Sequence, residues 1–382
     1  MPAALSRKER LRRQALGLEV DRVPSIGGWM LSARNLAAIA GTTVEEYLQN
    51  PEQGMVRANL ALDTDGIVTM PVYPKELEQL RAGSVQESDF QDIEPEVLLE
   101  VAEQLPDDED EALKDFDRVR ERQRFLDIFA HARADWGGLE PLPNFWDLGG
   151  PFALYQKYGY IAFLSACALY PEAVGKIWRV RALVARERAK LLAPLYAELD
   201  LVPLLFCGED LCNNSGPMVS PELLRRYYFP VVKDILAPLV AAGVRVVHHC
   251  DGDIRPVVDD FIATGFSGLQ GFQYELGLEI PELRGKKAAG GRDLLFFAGL
   301  SVTRTLPFGT PDEVRREVDY FFDATDNGRG LFLFTSNVTG VEVPWENLVA
   351  GYRRAKELTP GQPRAGAAPL PQWPRTRDYR EC

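Results

Sequence analysis

Two of the three histidines in the chain are adjacent, within residues 244–253, which read VRVVHHCDGD. They close a short apolar run and open an acidic turn that contains glycine. Because side chains alternate along an extended strand, His249 and Asp251 share one side and His248 faces the other. An imidazole two residues from a carboxylate can transfer protons, or bind a metal such as zinc together with another acidic oxygen. A single histidine at a strand end is more often structural, so a functional role for His249 requires further polar residues at the same place.

Polar side chains also follow each of the last five predicted strands. They lie at positions 209, 249, 273, 301 and 337, a spacing that fits one strand and one helix per step. In a parallel barrel, the carboxyl ends of all strands open on one face, and that face carries catalysis in such folds. Any single polar turn could merely cap a helix, whereas five in succession favour a functional site.

The adjacent acids Glu209 and Asp210 point to opposite sides of an extended strand end, so we expect only one of them to face the site. Trp29 and Trp146 could line a pocket, although packing in the core is the more common role of such residues. The expected catalytic residues are His249, Asp251 and Asp210. The expected substrate-binding residues are Glu209, Gln273, Glu275, Ser301, Asn337 and Trp29, and a metal, if bound, is expected on His249, Glu209 and Asp251.

Short apolar strands alternate with amphipathic helices from about residue 145 onward. The predicted strands are 201–206, 244–247, 268–272, 294–298 and 331–334, and the predicted helices include 171–199, 254–264, 276–284 and those beginning at Ser220, Thr310 and Pro344. Earlier in the chain we predict a helix over 6–17 and a strand over 65–71. This alternation is typical of a parallel sheet covered by helices, either open or closed into a (β/α)₈ barrel. Neither common glycine-rich nucleotide motif follows a predicted strand.

The composition narrows the classes of partner. The chain has 382 residues, 46% of them hydrophobic, and a formal net charge of −13, which disfavours nucleic acid as a partner. The chain has five cysteines, an odd number, and no two of them have the C-x-x-C spacing. This usage predicts reduced thiols in a cytoplasmic protein. Neither a signal peptide nor a membrane span is predicted.

Five segments resemble the uroporphyrinogen decarboxylase-like superfamily, which includes that decarboxylase and the corrinoid-dependent methyltransferases. They are residues 9–24 (ERLRRQALGLEVDRVP), 208–230 (GEDLCNNSGPMVSPELLRRYYFP), 249–265 (HCDGDIRPVVDDFIATG), 297–314 (FAGLSVTRTLPFGTPDEV) and 330–347, which ends in PWEN. The resemblance implies an α/β fold, a (β/α)₈ TIM barrel with an N-terminal helical extension and irregular insertions. We expect a single barrel domain over 1–358 and a proline-rich tail over 359–382.

Departures from the family pattern disfavour two of the activities found in this superfamily. The decarboxylases carry arginines after the DR-x-P segment, where this chain reads SIGGWM at 25–30, so porphyrinogen decarboxylation is disfavoured. The zinc-dependent thiol methyltransferases use His-x-Cys and a later Cys, whereas Asp251 and Asn337 stand at about those places here, and Cys250 lies one residue out of register. His, Asp and Asn side chains are harder ligands, in the hard–soft sense, than thiolates. They suit hydrogen bonding to an oxygen-bearing substrate or general acid catalysis.

The resemblance therefore implies a methyltransferase that moves a methyl group from a small methyl ether or methylamine to the corrinoid of a partner protein. The chain lacks the corrinoid-binding Asp-x-His-x-x-Gly motif, so the partner would supply the corrinoid. The sequence is compatible with zinc bound at His249 and with a homodimer, and it requires neither. One alternative is a cofactor-independent decarboxylase or lyase acting on a smaller acid, with Arg34 and Arg304 as candidate carboxylate-binding residues. Another is a binding or scaffold protein without catalysis.

Overall fold

Continuously apolar segments form the buried strands of two parallel sheets. The computed structural model describes residues 4–68, 93–152, 154–364 and 366. Its strands are β1 Ile26–Gly27, β2 Gly66–Val68, β3 Glu140–Leu142, β4 Leu204–Gly208, β5 Cys212–Asn213, β6 Gly216–Pro217, β7 Arg245–His249, β8 Gly268–Gln270, β9 Leu295–Leu300 and β10 Leu331–Thr335. One sheet has the order β1-β2-β3 and the other β10-β9-β8-β7-β4, while β5 and β6 form a small antiparallel hairpin. The predicted α/β fold with a parallel sheet is confirmed.

Isolated bridges join the edges of the two parallel sheets. Ser25, just before β1, pairs in parallel with Leu333 of β10, and Asn144, just after β3, pairs in parallel with Phe206 of β4. The Leu333 amide donates to the Pro24 carbonyl at 2.8 Å, and the Phe206 amide donates to the Pro143 carbonyl at 2.9 Å. The two edge strands of the shorter sheet therefore each contact an edge strand of the longer one.

Helices occupy most of the intervals between the strands. They are α1 Arg7–Ala15, α2 Ala33–Ala40, α3 Val44–Gln49, α4 Pro51–Leu62, α5 Glu96–Gln104, α6 Glu109–Ala112, α7 Arg118–Asp135, α8 Tyr155–Tyr158, α9 Tyr160–Leu169, α10 Pro171–Glu198, α11 Pro221–Leu223, α12 Phe229–Ala241, α13 Val258–Thr264, α14 Ile280–Gly285, α15 Thr305–Phe308, α16 Pro311–Ala324 and α17 Trp345–Lys356. Short 3₁₀ segments lie at Phe145–Asp147, Tyr274–Leu276 and Ala289–Gly291, and a π-helical turn at Leu224–Tyr228.

Helix capping follows the sequence closely. The Ser6 hydroxyl accepts from the Glu9 amide at 3.2 Å, as the predicted first helix requires. Thr310 and Glu313 form a reciprocal capping box at the start of α16, which satisfies amides that the first helical turn leaves without partners. The prediction for 276–284 was wrong in detail, because the left-handed Gly277 ends a 3₁₀ turn and α14 begins only at Ile280.

Buried apolar residues form three clusters within the described residues, and two of them position the site. Side chains from β1, β4, β9 and β10 meet between the sheets, where Phe206 stacks on Phe297 with ring centroids 6.3 Å apart. Outside the strands, the fully buried Trp178 of α10 stacks on Phe152 at 5.5 Å and meets Tyr228 edge-on at 5.6 Å. The rigid aromatic packing fixes the segments that follow β3 and β4, which carry part of the site described below.

Some predictions fall partly outside the described residues. The strand predicted over 65–71 is present as Gly66–Val68, and residues 69–71 lie beyond the description. Most of the tail predicted over 359–382 also lies outside it, and the domain limits stay a prediction. Among the described helices, none combines the length and apolar character needed to cross a lipid bilayer.

Candidate active site

The polar residues that converge lie at the carboxyl ends of neighbouring strands. His249 is the last residue of β7, Gln270 is the last residue of β8, and Asp210 is the second residue after β4. Because β4, β7 and β8 are paired in parallel, their carboxyl ends meet at one edge. Asp251 follows two residues after His249, and Asn337 follows β10.

Gln270 sets the orientation of the His249 ring. Its Nε2 donates to the carbonyls of Thr335 at 2.7 Å and Ser336 at 2.9 Å, so its Oε1 must face His249. That oxygen lies 2.5 Å from His249 Nδ1, which therefore carries a hydrogen and donates it. The other ring nitrogen, Nε2, is left to face the carboxylates.

Two carboxylates surround that nitrogen. His249 Nε2 lies 3.3 Å from Asp210 Oδ1 and 3.7 Å from Asp251 Oδ1. The other carboxylate oxygen of Asp251 accepts from Asn337 Nδ2 at 2.5 Å, and the Asp251 amide donates to Asp210 Oδ1 at 3.1 Å. One potential ligand atom from each of Asp210, His249 and Asp251 lies within 4.8 Å of the others, a geometry that could also hold a metal ion.

Burial and mutual charge shift all three pKa values. Burial alone would lower the pKa of His249, but the hydrogen bond to Asp210 and the charge of Asp251 outweigh it and raise this pKa. Burial raises the pKa of Asp251 to about 6, despite the opposing charge of His249. The pKa of Asp210 is lowered, because its hydrogen bond and charge interaction with His249 overcome burial. The imidazolium is thus stabilised between two acids.

An aromatic side chain covers the imidazole. Trp29, only 4% exposed, meets the His249 ring edge-on with centroids 4.9 Å apart, and it also contacts Phe206 at 5.1 Å. Excluding water there strengthens the electrostatic interactions around the imidazole, while the expected contact of Trp29 with substrate stays a prediction. Trp146 is different: it is 50% exposed, and its Nε1 donates to the Gly208 carbonyl at 3.3 Å.

The close approach of β8 to the imidazole requires a glycine. Gly271 has φ +84°, and a Cβ there would lie 2.3 Å from His249 Nδ1. Any side chain at this position would displace the ring, and the left-handed backbone is itself favourable only for glycine. The backbone therefore leaves room for the hydrogen bond between Gln270 and His249.

Glu209 is not brought together with these groups. Its Oε1 accepts from the Phe152 amide at 2.7 Å, and its Oε2 accepts from the Tyr228 hydroxyl at 2.8 Å. As expected from strand alternation, Asp210 faces His249 and Glu209 faces the aromatic cluster around Trp178. The structure thus places Glu209 where it fixes the loop, and its binding of substrate or metal stays a prediction.

The remaining predicted residues form a second polar cluster beside the first. The Glu275 carboxylate accepts from the hydroxyls of Ser301 and, at 3.0 Å, Thr303. Next to them, the fully buried Glu317 accepts from the Tyr274 hydroxyl at 2.7 Å, and burial raises its pKa to about 8. Glu275 is close enough for its charge to raise the pKa of Asp251. Gln273 immediately precedes the 3₁₀ turn Tyr274–Leu276, and its backbone amide donates to the Gly252 carbonyl at 3.3 Å.

The neighbouring histidine faces the other way, as expected. His248 is buried between Phe261 and Phe266, with ring centroids 4.4 and 4.3 Å away, and neither ring nitrogen has a hydrogen-bond partner among the described residues. Burial lowers its pKa to about 3, so the ring is neutral at physiological pH. Of the two adjacent histidines, His248 packs among aromatic rings and His249 contacts polar groups.

Of the comparisons with known proteins, the one with solved structures supports the fold. No protein-family model matches the chain, and no curated protein matches it. Among solved structures, the chain is similar to a methyltransferase from Methanosarcina mazei, with a TM-score of 0.60 and 16% identity over 92% of this chain and 99% of that chain. At this level of identity, the two proteins share a fold over nearly their whole lengths.

Proposed function

We propose that this protein is a methyltransferase in which His249 protonates the atom that the methyl group leaves. The observation that carries the proposal is the imidazole itself, oriented by Gln270 and positioned between Asp210 and Asp251. The shared fold with a methyltransferase supports the reaction class. The proposed donor is a small methyl ether or methylamine, and the proposed acceptor is the corrinoid of a partner protein.

The proposed architecture is a closed (β/α)₈ barrel. The parallel bridges from Ser25 to Leu333 and from Asn144 to Phe206 support closure, because they connect both edges of one sheet to the edges of the other. The site would then occupy the carboxyl-terminal mouth, where barrel enzymes bind substrate. Two exposed apolar side chains suit contact with a partner protein at that mouth: Phe308 at the end of α15, after β9, is 76% exposed, and Val341 on the loop after β10 is 57% exposed.

The proposed chemistry assigns the proton to His249 Nε2. As the methyl carbon bonds to the acceptor, its bond to the donor oxygen or nitrogen breaks, and the electron pair goes to that atom. His249 then gives its Nε2 proton to the departing atom and becomes neutral, while Nδ1 keeps its hydrogen bond to Gln270. Asp210 and Asp251 hold the imidazolium before the transfer. The corrinoid, when present, supplies a strongly nucleophilic cobalt for the methyl group.

The choice of donor follows from the ligand set. Within the described residues, the atoms around His249 Nε2 are carboxylate and amide oxygens and nitrogens, without a thiolate. The buried cysteine between them, Cys250, faces the Leu211 amide, which donates to its sulfur at 3.4 Å, and burial raises the pKa of this thiol. Protonated and hydrogen-bonding groups suit oxygen- or nitrogen-bound methyl groups better than activation of a thiol.

The proposal predicts demethylation that depends on the corrinoid partner. Purified protein, a reduced corrinoid protein and a panel of methyl ethers and methylamines should yield the corresponding alcohol or amine. Omitting the corrinoid protein should abolish the product. Release of carbon dioxide from a small acid with no corrinoid present would instead identify a decarboxylase and overturn the proposal.

A divalent metal at the same residues is the second candidate, favoured by the convergence of three ligand atoms within 4.8 Å. Asp210, His249 Nε2 and Asp251 would hold zinc, which could polarise the departing atom. Elemental analysis separates the two cases. One zinc per chain that is lost in His249→Ala and kept in His131→Ala would establish the metal; His131 is the matched control because it also lies between two acids, Glu52 at 2.7 Å and Asp135 at 2.8 Å. A fully active chain without metal would remove this candidate.

Gln270→Leu is expected to reduce methyl transfer by about 10- to 100-fold, because residues that orient a catalytic or ligating histidine have effects of this size. The hydrogen bond between Nδ1 and Gln270 helps to raise the pKa of His249, so this pKa should be lower in the variant. The loss of activity on the alkaline side should therefore begin at a lower pH than in the wild type. The sign follows from the acid role, since activity falls as pH rises through the pKa of the protonated group.

The pH–rate profile is the deciding measurement for this variant. Gln270→Glu keeps an oxygen acceptor for Nδ1–H and should move the alkaline limb back toward higher pH. A reduced rate with an unchanged pH profile in both variants would contradict a positioning role for Gln270.

A further inference from the structure

A cavity lies at the end of the strands opposite to His249. It has a volume of about 930 Å³ and is lined by residues at the start of β7 and β9, by the segment after α1, and by residues 359–362. Arg245 is the first residue of β7, and Leu295 is the first residue of β9. Because these strands are parallel, their amino ends lie together, far along the strands from the carboxyl ends that carry the candidate active site.

Arg245 is a buried cation without a carboxylate partner. The residue is 2% exposed, and its guanidinium donates to the carbonyls of Ala15 at 2.9 Å, Ser267 at 3.2 Å and Asp293 at 2.5 Å. Its Nε is buried and has no hydrogen-bond partner among the described residues. It forms no ion pair within 4.0 Å in that part of the chain. A buried charge normally requires a counter-charge, and a buried unsatisfied donor requires an explanation.

Arg292 places a second positive charge at the same cavity. It lines the cavity and is exposed, and its charge, after burial itself, lowers the pKa of Arg245 to about 10. Arg292 too forms no ion pair with a described acidic residue. Two like charges brought together in this way are a cost to folding, which an anion in the cavity would offset.

Three acids line the cavity, and two of them, Asp293 and Asp21, are engaged by other cations, while the third, Glu19, is exposed. The Asp293 carboxylate accepts from Arg284 at 2.8 Å and is paired with Lys287. The Asp21 carboxylate accepts from Arg10 at 2.7 and 2.8 Å, and from the Leu5 amide at 3.0 Å. These ion pairs occupy Asp21 and Asp293, so neither carboxylate forms an ion pair with Arg245 or Arg292, although the charge of Asp293 raises the pKa of Arg245.

We propose that this cavity binds a phosphate group, either as free phosphate or as the phosphate of a small organic ester, between Arg245 and Arg292. A dianion matches two cations, and the planar guanidinium fork suits tetrahedral oxyanions. The volume is large enough for an organic phosphate. A nucleic acid backbone is disfavoured as the ligand by the net charge of −13 on the chain. The site is independent of the proposed methyl transfer, since it lies at the other end of the strands.

Binding of phosphate to the full chain tests this proposal. Isothermal titration at constant ionic strength should show saturable binding of inorganic phosphate or of glycerol phosphate, and none of acetate or chloride. Arg292→Gln, an exposed and structurally mild change, should weaken binding at least tenfold. Arg226→Gln is the matched control, since Arg226 is 69% exposed and its nearest acid, Glu172, is 3.9 Å away; it should bind as the wild type does.

The outcomes separate cleanly. Tighter binding of the ester identifies a phosphorylated small molecule as the ligand, and tighter binding of inorganic phosphate identifies the free ion; both support the site. His249→Ala should retain full binding, which separates this site from the proposed reaction. Arg245→Lys keeps the charge but loses the fork, and should also weaken phosphate binding. The proposal is overturned if the wild type does not bind phosphate, or if Arg292→Gln binds it as tightly as the wild type.

Discussion

Replacing His249 with alanine is expected to slow methyl transfer by about three orders of magnitude, within the range that a positioned general acid contributes. The side chain is the only imidazole at the site in the described part of the chain, because His248 faces Phe261 and Phe266, and His131 lies on α7. Without it, the departing oxygen or nitrogen has no cationic proton donor between Asp210 and Asp251. Single-turnover rates with saturating donor measure the loss at the chemical step.

The adjacent histidine provides the control for that experiment. His248 makes no hydrogen bond within the described residues and is buried among aromatic rings, so His248→Leu should retain the rate within a few-fold, even if it lowers stability. If His249→Ala kept most of its activity at equal folded content, proton donation by this residue would be refuted. Equal losses in both variants would point to disturbed folding of β7 instead.

Asp251→Asn is expected to stabilise the protein at pH 7 while it reduces the methyl-transfer rate at least tenfold. Burial raises the pKa of Asp251 to about 6, so the folded state binds its proton more tightly than the unfolded state does. The ionised carboxylate therefore destabilises the fold, by a cost that is absent below about pH 4 and fully present above pH 6. One pKa unit corresponds to about 1.4 kcal/mol, so removing this charge should gain roughly 1–3 kcal/mol.

The same loop supplies an opposite control. Asp253 accepts from the Arg255 guanidinium at 2.8 and 2.6 Å, and this contact lowers its pKa. Asp253→Asn should therefore lose a little stability at pH 7, and the difference should vanish at low pH. Urea unfolding at pH 7 and pH 4 tests Asp251→Asn, and for Asp253→Asn the comparison extends to about pH 2, because the lowered pKa keeps Asp253 ionised at pH 4. An Asp251→Asn chain that is less stable than the wild type at pH 7 would contradict the assigned electrostatics.

The arrangement of the site could be predicted from strand periodicity wherever a strand ended as expected. Alternation placed His249 and Asp251 on one side and separated Asp210 from Glu209, and the structure agrees on each point. Parallel strand order brought Asn337 to Asp251, although the two residues are far apart in sequence. These contacts follow from the period of two along a strand, which tertiary packing does not alter.

Gln270 was missed because the predicted strand ran two residues too far. The predicted strand covered all of GLQGF at 268–272, so Gln273 was the first polar residue after it, whereas β8 ends at Gln270 and the left-handed Gly271 follows. A polar residue beside a glycine within an apolar strand was the available signal, since such glycines often mark close backbone approach. The two-residue β1 and the three-residue β3 were also hard to predict, because segments so short show no periodicity.

Methylation of a reduced corrinoid protein tests the central proposal most directly. The absorbance spectrum should change from the reduced to the methylated form when this protein and a methyl ether or methylamine are added, and should stay unchanged with His249→Ala on the same timescale. Methylation from no donor in a panel of ethers, amines and thiols, or from methylated thiols alone, would contradict the account.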